Sequence, residues 1–192
     1  MADLAQRGAQ VGSLHPAFPF ADVETAMREL AGTVFALEAD SEPLRGWLHG
    51  IVRALHGDAL VISPGQKALY HSSLVIASNY LVTLYAVAEG LLMRIGADQA
   101  LADRALHRLV AATVVNLGVQ GIPAALTGPL VRADVGTVRA HLAALAQVDG
   151  ELVELYAQLA RLSLPMLAAR GVPLKEIAGL LEKDNSDASN NS

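Results

Sequence analysis

Cysteine is absent from the 192 residues. Structural disulfides and thiolate metal sites are therefore excluded, as suits a cytoplasmic protein. Aromatic residues are scarce at 4%, so the core that a 53% apolar content permits must be aliphatic. Positive charge is also short: 14 Lys and Arg against 19 Asp and Glu leave a net charge of −5. Phosphate backbones require clustered Lys and Arg, so no nucleic-acid partner is expected. Neither G-x-G-x-x-G nor G-x-x-x-x-G-K-S/T occurs, and the first strand, glycine turn and helix of a dinucleotide-binding fold are missing. Residues 1–12 hold no uninterrupted apolar run, which argues against a signal peptide. The most apolar stretch, Leu74 to Met93, is interrupted by Ser78, Asn79, Tyr80, Thr83, Tyr85 and Glu89. A helix buried inside protein is expected there, with no membrane partner.

Two regimes follow one another along the chain. Up to Ser63, apolar runs alternate with amphipathic segments: strands at Ala9–Leu14, Thr33–Glu38 and Asp58–Ile62, helices at Phe20–Ala31 (starting near Asp22) and Glu42–Leu55, with Ser41 as N-cap and Pro43 in the first turn. Such alternation predicts βαβ units and a parallel sheet. From Pro64 onward the pattern is helical: Lys67–Ile95 closed by Gly96, Asp98–Val119, Asp134–Leu145, Asp149–Ala169 and Leu174–Glu182. The expected fold is α+β by content, with residues 1–64 as the back half of a Rossmann-like layer of about three parallel strands. Residues 65–183 would form an all-helical domain, and 184–192 a disordered polar tail.

The chemistry-bearing residues cluster in three places. At the junction, Lys67, His71 and Ser78 fall within roughly 40° on one helical face, with Asn79 about 80° from His71. Burying such groups unpaired costs roughly 1–3 kcal/mol each, so they should face a polar pocket or one another. A solvated first turn with one satisfied amide is the structural alternative. A second group comprises Asn116, the loop Gly121–Gly128 with Thr127, then Arg132, Asp134, Thr137 and His141. Here the alternative is a helix connection capped by Asp134, with Arg132 paired to it. Third, His15 and Pro16 stand at the C-terminal end of a predicted strand, where open α/β sheets bind ligands. His49, His56 and His107 read as surface residues.

The order His15-Pro16, Lys67-x-x-Tyr70-His71, Ser78-Asn79, Asn116, then Ala125-Leu126-Thr127-Gly128-Pro129 with Arg132-x-Asp134, Thr137 and His141, resembles the Rossmann-like oxidoreductases that carry a DUF2520 C-terminal domain. Some members act as ketopantoate reductases. The wider group is similar to 6-phosphogluconate dehydrogenase, whose C-terminal domain is helical. The resemblance implies an NADP cofactor bound by a preceding dinucleotide domain, and a small anionic keto or hydroxy acid as substrate. It also implies a homodimer formed through the helices. Lys67 and Asn79 would be the catalytic residues; His15, His71, Asn116, Thr127, Arg132, Asp134 and His141 would bind substrate. Relatives often have Arg-Gly-Asp where this chain has Arg132-Ala133-Asp134, a departure at a position where glycine could serve a positive φ or a close backbone approach. Because the glycine turn is lacking, three arrangements stay open: a truncated copy, one half paired with a separate nucleotide-binding partner, or a non-catalytic helical assembly protein derived from such an enzyme.

Overall fold

The computed structural model describes residues 5–188, which divide into two compact units between Gln99 and Ala100. The composition boundary expected at 64/65 lies earlier, because the first long apolar helices belong to the first unit.

In the first unit, β1 (Gly12–Pro16), β2 (Val34–Ala39) and β3 (Asp58–Val61) form a sheet of order β1-β2-β3. The α+β content is as expected, but the sheet is mixed rather than parallel. β2 pairs with β3 in parallel and with β1 antiparallel, with His15 opposite Ala36. Connection length explains the difference. Helix α1 (Val23–Glu29), capped by the Asp22 carboxylate accepting from Thr25 N at 2.8 Å, has seven residues. At about 1.5 Å per residue it rises roughly 10 Å, too little to carry the chain back along a strand of roughly 17 Å. The chain therefore reverses at Pro16 and returns antiparallel. Helix α2 (Glu42–Ala54) has 13 residues and spans the sheet, which permits the parallel crossover to β3. β1 also starts three residues later than expected, so His15 and Pro16 lie within the strand.

The central strand is buried on both faces: Phe35 and Ala36 are each 2% exposed and Leu37 is fully buried. Gly12 and Ala39 share a face with Phe35 and Leu37, and α2 lies on it through Leu44 and Leu48. The other face carries Ala36 and His15. Two glycines mark close approaches. A Cβ on Gly12 would stand 2.7 Å from the Glu38 carbonyl oxygen, and one on Gly57 would stand 2.5 Å from that of Thr33.

The apolar stretch expected as one helix is two, α3 (Lys67–Ala77) and α4 (Asn79–Arg94), broken at Ser78 with φ −113° and ψ −66°. The break falls at Ser78-Asn79, short polar side chains that compete with the helical backbone. Gly96, at φ +100°, closes α4 as expected. Taken together, Lys67–Arg94 is long and apolar enough to cross a membrane by length and composition, and none of its most apolar window is buried.

In the second unit, α5 (Gln99–Gln120) is followed by a turn-rich loop, then α6 (Val135–Ala146), α7 (Gly150–Ala169) and α8 (Lys175–Ala188). Helices α6, α7 and α8 pack on one another around Ala157, Ala160, Leu167, Ile177 and Leu181. Helix α8 continues through residues 184–188, where a disordered tail was expected; residues 189–192 of that tail lie outside the described residues.

Gly57→Ala should destabilise the first unit by roughly 1–3 kcal/mol, because the new methyl meets a backbone carbonyl that cannot swing aside. Urea denaturation checks this; an unchanged midpoint would mean that the 57–58 backbone yields freely.

Candidate functional site

The first unit gathers part of the junction cluster into a cleft. Tyr70, in the first turn of α3, donates its hydroxyl to the His15 carbonyl oxygen at 3.0 Å. Its ring meets the His15 imidazole edge to face, with centroids 5.6 Å apart. His71, the next residue, approaches the same imidazole at 5.5 Å and 81°. Burial pushes the Tyr70 phenol above its ordinary pKa, a backbone hydrogen bond at Ala36 pulling more weakly the other way. The phenol therefore stays protonated and able to donate.

These contacts open a cleft of about 510 Å³ between the end of β1 and α3. Its polar groups are His15, His71, Ser78 and Asn79; its apolar wall includes Phe18, Phe20, Leu74 and Val75. Phe18 and Phe20 pack edge to face at 5.4 Å. No carboxylate and no Lys or Arg lines the cleft, so it offers neutral hydrogen-bonding groups beside an aliphatic and aromatic floor. The buried Nδ1 of His15 has no hydrogen-bond partner among the described residues. A buried nitrogen left in that condition is an unmet hydrogen bond that a ligand atom could complete.

The helix break at Ser78 brings Ser78 and Asn79 to the wall, one helical step apart. Lys67, expected on the same face, is exposed as the first residue of α3 and is not among the lining residues. His15, His71 and Asn79 are thus brought together, and Lys67 stands one turn before His71.

The second unit organises the other cluster. Asp134 caps α6, accepting from Thr137 N at 3.0 Å and from the Thr137 hydroxyl at 2.6 Å. The Thr137 hydroxyl hydrogen bond, then its backbone one, hold the Asp134 carboxyl below its ordinary pKa, with smaller help from the positive charge of Arg132. The capping alternative thus describes Asp134 well, while Arg132 acts at a distance rather than in an ion pair. His141, one turn beyond Thr137, has Nδ1 3.0 Å from the Tyr156 hydroxyl on α7. Thr127 and Arg132 are exposed in the loop, and Asn116 is half-buried within α5.

Three residues that hold these clusters were not singled out as site residues from the sequence. Tyr70 stood inside the Lys67-x-x-Tyr70-His71 motif without a role. Tyr156 lies on a different helix from His141, and no spacing links the two. Arg170, at the end of α7, donates its guanidinium to the carbonyl oxygens of Pro123, Ala124 and Leu126, bracing the loop that carries Thr127.

The family model described as "Domain of unknown function (DUF2520)" matches residues 33–163, more than half of the chain. The chain belongs to the DUF2520 family. Among solved structures it is similar to protein TM1727 from Thermotoga maritima, with a TM-score of 0.74, 27% identity and coverage of 83% of this chain and 62% of that one. It is also similar in fold to a Bacteroides fragilis protein described as "putative NADP oxidoreductase BF3122", with a TM-score of 0.65, 23% identity and coverage of 84% and 60%. The chain therefore spans about three-fifths of the length of these two proteins. No curated protein matches it in sequence.

Ala133, which stands where the resemblance would put a glycine, sits at φ +52°, in the left-handed region. Holding a non-glycine residue there costs roughly 1–2 kcal/mol, offset in part by the roughly 0.5–1 kcal/mol that glycine loses in ordering. Ala133→Gly should therefore raise stability by about 0.5–1 kcal/mol, read as a higher urea midpoint; a lower midpoint would show that the Ala133 methyl contributes more by packing than its backbone loses.

Proposed function

We propose that the chain is the substrate-binding and dimerisation part of an NADP-dependent oxidoreductase acting on a small keto or hydroxy acid, in the manner of a ketopantoate reductase. The observation that carries this reading is the cleft in which His15, His71, Ser78 and Asn79 meet above an apolar wall. Its volume and composition suit a compact ligand with one polar and one aliphatic end. Asn79 and the two imidazoles would hold the polar end, and the unpartnered His15 Nδ1 would gain a hydrogen bond. The Lys67 ammonium, a turn from His71, would swing toward the substrate oxygen and supply a proton and a positive charge as that oxygen becomes an alkoxide. On the second unit, Arg132 would offer its guanidinium to a small carboxylate.

The residues present do not fit the dinucleotide. None of the 192 supplies a glycine-rich turn at a helix start to hold its pyrophosphate, so no step through NADP is assigned to them. The reading places that cofactor on a separate nucleotide-binding partner or segment. The oxidoreductase description that BF3122 carries comes to this chain only through likeness of fold.

A homodimer belongs to the same proposal. Leu109, Val115 and Val119 on α5 are 63%, 63% and 80% exposed, and Val82 on α4 is 69% exposed. A second copy laid on these aliphatic faces would remove them from water.

Two measurements test the proposal. In any preparation that reduces a 2-oxo acid with NADPH, Lys67→Ala should lower kcat by about 10²–10⁴, and Lys67→Arg should not restore it. A Lys67→Ala protein that turns over like its parent would remove Lys67 from the mechanism. Light scattering at tens of micromolar should give twice the chain mass; a clean monomer would overturn the dimer.

A further inference from the structure

We infer that Tyr156 is a positioning residue for His141: its hydroxyl donates to Nδ1 and so keeps the imidazole proton on Nε2. The inference rests on the proposed reading only for what Nε2 then serves, namely a small anionic ligand drawn in by Arg132.

The geometry comes from two antiparallel neighbours, α6 and α7. The 3.0 Å contact between His141 Nδ1 and the Tyr156 oxygen has hydrogen-bond length, and the two rings stand edge to face at 85° with centroids 5.8 Å apart. Either atom could donate, and the Tyr156 side decides. Its hydroxyl has no other hydrogen-bond partner among the described residues, and it is half-buried. Burial raises its pKa, so it keeps its proton and needs an acceptor. A neutral imidazole nitrogen is the acceptor within reach. Once Nδ1 accepts, Nε2 must carry the ring proton on a side chain that is itself exposed.

That proton has a setting. Asp134, Thr137 and His141 follow one another along one face of α6, and Arg132 acts electrostatically on the same Asp134 carboxylate. The carboxylate is already engaged by two hydrogen bonds from Thr137, which leaves Arg132 and the His141 N–H as donors for an incoming oxyanion.

The test uses the full chain labelled with ¹⁵N-histidine, observed at about pH 8, above the usual histidine pKa of about 6.5. Two-bond proton–nitrogen correlations should show His141 in a single Nε2–H form. Tyr156→Phe keeps the ring and removes the hydroxyl; it should release His141 to a mixture of both tautomers. Pyruvate is the probe for the ligand. Its binding should weaken by at most about twofold in Tyr156→Phe, the fraction of rings that leave the Nε2–H form. A parent protein with His141 already mixed, or in the Nδ1–H form, overturns the inference even where the variant fails to fold. So does a folded variant with an unchanged tautomer. Pyruvate that does not bind the parent overturns the reading of the Arg132 face, and the tautomer still decides the role of Tyr156.

Discussion

The hydrogen bond from the Tyr70 hydroxyl to the His15 carbonyl ties the first turn of α3 to the sheet. His15 lies in β1, opposite Ala36 of the central strand, so its position is set by the sheet ladder and by the buried run Phe35–Leu37. Tyr70 transfers that position to α3. His71 follows one residue later, and the break at Ser78 sets where Asn79 points, so the polar wall of the cleft inherits its geometry from one tie. Both partners of the tie are polar at one end and apolar at the other, and the ring contact excludes water from a hydrogen bond that would be weak if exposed.

The second unit uses a different device for the same purpose. A loop punctuated by glycine and proline cannot satisfy its own carbonyls by regular structure. Arg170 reaches three of them from the end of α7, and Asp134 closes the other end by capping α6. Between these supports the backbone passes through left-handed geometry at Ala133, next to side chains packed on the α7–α8 core. A strained residue persists where its surroundings over-determine it, and here the cap and the core both do.

Much of this was legible because local rules agree with the fold. Asp22, Asp134 and Asp149 each accept a hydrogen bond from the backbone that follows, as N-cap chemistry requires, and Gly96 ends α4 in the left-handed region. The β-branched and aromatic run around Val34–Ala39 is a strand. The antiparallel pairing of β1 was not legible, because strand direction depends on how far a seven-residue helix reaches, and alternating pattern carries no such length test. The break at Ser78 was hidden for a similar reason: an apolar period of 3.6 continues across it, and only the two polar side chains hint at a bend. The His15–Tyr70 and His141–Tyr156 contacts join residues with no periodic relation, which pattern reading cannot supply.

The aliphatic helices expose a limit of another kind. Apolar spacing predicts burial but says nothing of what does the burying. Within its own unit, α5 makes no extensive contact with α6, α7 or α8 among the described residues, and only Ala102 and Leu106 are buried along its 22 residues. In proteins most helical stability comes from tertiary packing of an apolar face rather than from helix propensity. Ala and Leu favour the helical state and Asp103, Arg104 and Arg108 keep one side hydrated, yet Leu109, Val114, Val115 and Val119 gain nothing from solvent. The same sequence that writes a helix so clearly leaves much of that helix's apolar surface uncovered within its own unit.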